Sequence, residues 1–199
     1  MPGVPRDTRR RIGLLGGSFN PAHDGHRHIS LEALKRLDLD EVWWVVSPQN
    51  PLKSGDGMEP LATRLARAKQ IAHHPRIRVE APELLLGTRY TLDTVRELAA
   101  AEPGTEWVLI LGQDQYEGLH TWRDWRELVA RVTLAIANRP DVVAATNPQI
   151  ANVPHQLVQL PMMDVSSTEV RRRVAAGESI ATLVPPAVAS YIERRQLYR

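Results

Sequence analysis

Residues 12–37 read IGLLGGSFNPAHDGHRHISLEALKRL, and this stretch decides the fold. Ile12, Leu14 and Leu15 form a short apolar run that stops at Gly16-Gly17, after which Ile29, Ala33, Leu34 and Leu37 recur at helical spacing. A strand, a glycine turn and a helix therefore follow one another. Glycines lack a β-carbon, so the backbone can approach a ligand closely, and the amides that open the next helix are donors for an anion. His23 and His26 are three residues apart, so a helix beginning near Asp24 puts them on neighbouring positions of its first turn, facing one direction. Two imidazoles at the positive end of a helix can donate hydrogen bonds to phosphate oxygens. A zinc site would need a third and a fourth ligand, and no His/Asp/Glu cluster at ligand spacing accompanies the pair.

The alternation continues outward. Val42 to Val46 is a buried-strand run, Leu61 to Ala72 is helical, and Ile77 to Val79 is a short strand. Thr91 is placed to cap a helix carrying Leu92, Val95 and Leu98, while Trp107 to Leu111 and Val132 to Ala137 are further strands. Strands alternating with helices need crossover connections, which predicts an α/β, doubly wound, mainly parallel sheet covered on both faces. Breakers sit where the strands end: Gly16-Gly17, Pro48 with Pro51, Gly112, and Arg139-Pro140. In open parallel sheets the ligand crevice lies at those carboxyl ends. Asp141 to Pro154 reads as a loop. Ser167 or Thr168 opens a helix reaching Ala176 before Gly177, and Pro185-Pro186 starts a last helix containing Val188, Tyr191 and Ile192.

At 199 residues, 43% hydrophobic and 24% charged, the chain fits one domain with a sizeable core, taken as residues 12–199. Residues 1–11 carry Pro2, Pro5 and four arginines with no apolar stretch after them, and read as a solvated arm rather than a signal segment. A balance of 25 Lys+Arg against 23 Asp+Glu leaves +2, a field too weak to argue for nucleic acid or a membrane. No apolar run approaches the ~20 residues of a membrane helix. The absence of cysteine excludes disulfides, thiolate metal sites and thiol catalysis, and agrees with a reducing, cytoplasmic compartment.

Gly16 to His26, GGSFNPAHDGH, resembles the signature of the nucleotidylyltransferases, and its wording is most similar to the bacterial nicotinate-mononucleotide adenylyltransferases. Four further segments resemble that family in order. Trp43 to Lys53 (WWVVSPQNPLK) is similar to its stretch after the second strand. Thr88 to Thr94 (TRYTLDT) is similar to its T-Y-T segment, with Arg89 where many members have threonine. Gly112-Gln113-Asp114 with Trp122 downstream resembles its G-x-D and tryptophan, and Val165 to Arg171 (VSSTEVR) its I-S-S-T-x-I-R. Asn138-Arg139-Pro140 resembles its R-P after a strand.

The resemblance implies a Rossmann-like nucleotidyltransferase fold and adenylyl transfer from ATP to nicotinate mononucleotide, giving nicotinate adenine dinucleotide and pyrophosphate. It implies that ATP meets Gly16, Gly17, Ser18, Phe19, His23, His26, Ser167, Thr168 and Arg171, with residues 165–199 closing that site. The mononucleotide would meet Ser18, Lys53, Thr91, Asp114, Trp122 and Arg139, with the Trp122 indole on the nicotinate ring. His23, His26, Lys53 and Arg171 would carry catalysis. Trp125 is assigned to helix packing, Trp43 and Trp44 to core and sheet-edge packing, and Arg172 and Arg173 to the surface. Mg²⁺ is expected to travel with ATP, since it seldom requires a full protein cage. The expected partners are the two substrates, without nucleic acid or membrane, and a homo-oligomer is compatible. The alternatives are a phosphopantetheine adenylyltransferase-like enzyme of the same fold and a non-catalytic nucleotide- or RNA-binding module.

Overall fold

The computed structural model describes residues 9–48, 58–138, 147–159 and 165–199. Six parallel strands form one sheet in the order β3-β2-β1-β4-β5-β6. They are β1 (Arg11–Gly17), β2 (Glu41–Val46), β3 (Ile77–Glu80), β4 (Glu106–Gly112), β5 (Thr133–Asn138) and β6 (Gln156–Gln159). Helices α1 (Asp24–Arg36), α2 (Leu61–Ala72), α3 (Pro82–Leu86), α4 (Thr91–Ala101), α5 (Gln113–Glu117), α6 (Trp125–Arg131), α7 (Ser167–Ala175) and α8 (Pro186–Arg194) surround it. The α/β, doubly wound reading is thus met.

The strands alternate with period two, which splits the core into two halves. Val108 and Ile110 of β4 point to the face that packs on Ala33 and Leu34 of α1, Ala68 and Ile71 of α2, Val170 of α7, and Val188 and Ile192 of α8. Trp107, Leu109 and Leu111 point to the other face, against Leu92 and Val95 of α4 and Trp125 and Leu128 of α6. Trp125 is buried there, as its packing assignment requires.

Three expectations change. β2 lies between β3 and β1, so Trp43 and Trp44 are interior core rather than sheet-edge residues. Thr91 is the first residue of α4 and not its cap: Tyr90, in extended backbone, holds the N-cap position without a side-chain bond. The sixth strand escaped the sequence reading because only Val158 of Gln-Leu-Val-Gln is buried, so an edge strand with one covered residue carries no apolar run.

The strand order reverses direction between β1 and β4. From Gly17 the chain turns into α1 on one face, and from Gly112 it turns into α5 on the other, so their carboxyl ends part and open a crevice.

Candidate active site

The β1–α1 turn fixes the two histidines through the backbone. His23 is the N-cap of α1; its N–H donates to His26 Nδ1 at 3.2 Å, and the His26 N–H donates to the His23 carbonyl at 3.0 Å. A neutral His26 that accepts at Nδ1 must carry its proton on Nε2, which makes that nitrogen a donor. The rings lie 3.8 Å apart between centroids. Burial, helped by the neighbouring His26, pushes the His23 imidazole down to about 2, and burial pushes His26 down to about 4. Both rings are therefore neutral near pH 7. Between His23 and Val165 a side chain on Gly25 has no room: a β-carbon there would lie 2.9 Å from His23 Nδ1 and 2.8 Å from Val165 Cγ1. Behind them Phe19 is buried, 4.6 Å from the His26 ring and stacked 5.1 Å from Trp44. The Trp44 indole in turn donates to Ser30 Oγ at 2.7 Å, and Ser30 Oγ donates to the His26 carbonyl at 2.8 Å.

The start of α7 is stitched onto this turn from the far end of the chain. Ser166 caps α7 by accepting the Glu169 N–H, Ser167 Oγ donates to the Pro21 carbonyl at 2.9 Å, and Arg171 Nη1 donates to the Asn20 carbonyl at 2.7 Å. Arg171 Nη2 also reaches Thr168 Oγ1 at 3.4 Å. A cavity of about 570 Å³ results, and Gly16, Gly17, Ser18, Phe19, His23, His26, Ser167, Thr168 and Arg171 all line it. Its donors are imidazole, hydroxyl, guanidinium and helix-terminal amides, a set made for polyphosphate. No carboxylate is among its described lining residues, and among the described residues no group of three or more His, Asp or Glu could hold a metal ion.

A second cavity, about 390 Å³, shares Gly16, Gly17, Ser18 and Gln115 with the first. Leu14, Val45, Leu109 and Leu111 give it apolar walls, and Tyr90, Thr91 and Trp122 line it as well. Its size and mixed lining suit a small organic ligand. Arg89 and Thr94 line it too, while Thr88 does not and shares a 2.7 Å hydrogen bond with the Thr94 hydroxyl. Asp114 is exposed on α5 and lines neither cavity; its neighbour Gln115 lines both. Lys53 and Arg139 lie outside the described residues. Arg172 and Arg173 are engaged with Glu169 at 2.8 and 2.7 Å, away from both cavities.

Sequence reasoning missed Gln115 and Glu83. Glu83 lines the smaller cavity, where burial raises its carboxyl above the ordinary range while a bond to Ser47 opposes the shift. Both sit on five-residue helices, too short to show a periodicity.

A parallel sheet parted behind a Gly-Gly turn, with two imidazoles and a Ser/Thr/Arg helix start facing one cavity, defines an α/β nucleotidyltransferase. Residues 14–173 match the cytidylyltransferase-like family, and the chain belongs to it. Among its relatives, the "Probable nicotinate-nucleotide adenylyltransferase" of Methylibium petroleiphilum is 42% identical over 199 residues, covering 96% of this chain and 93% of its own. The protein of the same name from Roseobacter denitrificans is 51% identical over 129 residues, a match spanning 65% of this chain and 64% of that relative. A solved structure titled Plasmodium falciparum nicotinic acid mononucleotide adenylyltransferase complexed with NaAD superposes with a TM-score of 0.78 at 20% identity, over 95% of this chain and 97% of that one, a likeness of fold.

Proposed function

We propose that this chain transfers the adenylyl group of ATP to nicotinate mononucleotide, forming nicotinate adenine dinucleotide and pyrophosphate as a step toward NAD. One observation carries the reading: a polyphosphate cavity and an aromatic-lined cavity meet at Gly16-Gly17-Ser18. Two substrates bound there would bring their phosphates together at the shared turn. The relatives named for this activity support it.

The attacking group is the 5′-phosphate of the mononucleotide, whose second pKa near 6 leaves it largely a dianion at neutral pH. It attacks the α-phosphorus of ATP in line, and the bond to the departing pyrophosphate breaks. A general base has no task here; alignment of two anions and neutralisation of growing charge are what the protein must supply. In this reading His26 Nε2–H donates to the α-phosphoryl oxygen. His23, Arg171 and the first amides of α7 hold the rest of the polyphosphate, and Lys53 helps to gather the anions. Mg²⁺ enters as part of the substrate, carried by the ATP phosphates, since no carboxylate is among the described residues lining the cavity. Trp122 faces the nicotinate ring, Thr91, Ser18 and Arg139 serve the mononucleotide, and Gln115 is better placed than Asp114 to reach both substrates. Residues 165–199 act as the segment closing the ATP cavity. Among the described residues no helix is long and apolar enough to cross a membrane, and a cytosolic setting suits both substrates.

The test is chromatographic detection of dinucleotide and pyrophosphate from ATP with nicotinate mononucleotide, nicotinamide mononucleotide or phosphopantetheine. Turnover is expected with nicotinate mononucleotide. Turnover with phosphopantetheine alone would overturn the reading.

A further inference from the structure

Arg64 of α2 is only 1% exposed, and among the described residues each hydrogen-bond partner of its guanidinium is a backbone carbonyl. Nη1 donates to Ser18 O at 2.6 Å and to Ser47 O at 2.8 Å, Nη2 to Pro48 O at 2.8 Å, and Nε to Glu59 O at 2.8 Å. It thereby joins the turn after β1, the turn after β2 and the residue preceding α2's own N-cap. A guanidinium cannot lose its proton in a protein, and its planar fork reaches several acceptors at once. Burial outweighs the favourable fields of Tyr198 and Glu59 nearby and disfavours the charged form, so holding the guanidinium here without a hydrogen-bonded carboxylate among the described residues is costly. For core packing alone, an apolar side chain would serve better.

Geometry shows what the arrangement does. Ser18 lines both cavities, whereas Arg64 lines neither and lies behind it. In a trans peptide the C=O and the following N–H point in opposite directions. Drawing the Ser18 carbonyl back toward Arg64 therefore turns the Phe19 N–H away from Arg64, and Phe19 itself lines the larger cavity. The same pull holds Phe19 at φ 48, a left-handed conformation that is unfavourable for an aromatic residue. We propose that Arg64 is a positioning residue for adenylyl transfer: a buried clamp that keeps the Ser18-Phe19 peptide in its anion-receiving orientation and locks the turns after β1 and β2 at one spacing. The proposal rests on the adenylyl-transfer reading, and no contact between Arg64 and substrate is part of it.

Three variants test it: Arg64→Lys, which keeps the charge without the fork, Arg64→Gln, and Arg64→Met. Each is assayed as purified full-length protein after its thermal transition is measured. Misplacement of reacting groups by about 1 Å costs about 100-fold, so Arg64→Lys should fold and lose roughly 10- to 100-fold in kcat, with KM for the mononucleotide changed less than about 3-fold. Guanidinium ion at about 20 mM should restore several-fold of the lost kcat in Arg64→Met, while urea, the neutral molecule of the same shape, should not. A folded Arg64→Lys with kcat within about 2-fold of wild type overturns the proposal, as does equal or absent rescue by guanidinium and urea. So does a set in which no variant folds, because the arginine then serves the fold itself. An inactive wild-type protein would instead sink the adenylyl-transfer reading, which keeps the two failures apart.

Discussion

His23 and His26 are held neutral by burial, with values of about 2 and 4 against 6.5 for a free imidazole. Between pH 6.5 and about 4.5 the unfolded chain thus binds protons that the folded one refuses, and stability rises with pH across that window. The contribution is complete above 6.5 and is lost progressively as pH falls. The lowered carboxylates, such as Glu169 at about 2 beside Arg172 and Arg173, act only below about 4.5, whereas Glu83, whose carboxyl burial raises, opposes the histidines within the window because the folded chain holds its proton longer than the unfolded one. Thermal unfolding should show a destabilisation of about 2 kcal/mol for each of the two imidazoles, about 4 kcal/mol for the pair and of the order of 10 degrees in Tm, between pH 7 and pH 5, less whatever Glu83 returns. His26→Ala should flatten that slope and lower kcat by about 100-fold at pH 7. A variant with an unaltered acid slope and near-normal turnover would remove His26 from both roles. His23 and His26 were legible in the sequence because their spacing and the Gly-Gly turn are local. Neutrality was not, because it depends on how much water the fold excludes.

At the scale of elements, the site depends on how α1 and α7 begin. Gly25 is the second residue of α1, where alanine would ordinarily favour the helix by up to about 1 kcal/mol. Its β-carbon, however, would collide with His23 and Val165. Gly25→Ala should therefore keep a melting temperature within a few degrees of wild type while losing at least about 10-fold in kcat/KM for ATP. Unchanged steady-state kinetics would show that the imidazole does not need this seat. The capping of α7 was read from its Ser-Ser-Thr start, since a cap is a local hydrogen bond. Ser166 takes that role. The bonds from Ser167 and Arg171 to the carbonyls of Pro21 and Asn20 join residues 146 and 151 positions apart, a distance no local pattern reports.

Across the whole molecule, those carbonyls belong to a network that ends at Tyr198, whose hydroxyl donates to Asn20 Oδ1 at 3.0 Å. Asn20 Oδ1 also accepts the Glu59 N–H at 3.2 Å, and burial beside Glu59 raises the Tyr198 phenol well above its ordinary value. Tyr198→Phe should cost about 1 kcal/mol of stability and raise KM for ATP several-fold, leaving KM for the mononucleotide alone, since Tyr198 lies on the polyphosphate side. Equal changes in both KM values, or none, would detach the network from the ATP cavity. Arg64 gave one clue in the sequence: it stands in register with Ala68, Ile71 and Ala72, a charge on the buried stripe of α2. The stripe is visible from spacing, but what the charge meets there is not. By itself the sequence determined the strand–helix alternation, the glycine turn, the paired imidazoles and the Ser/Thr/Arg helix start, because period, caps and turns are set by neighbours a few residues apart. Only the tertiary structure decided that Gln115 and not Asp114 lines the two cavities, that Phe19 is a buried support, and that Arg64 and Tyr198 brace the phosphate turn. Those roles arise from contacts between distant segments, and such contacts exist only once the sheet has brought the segments together.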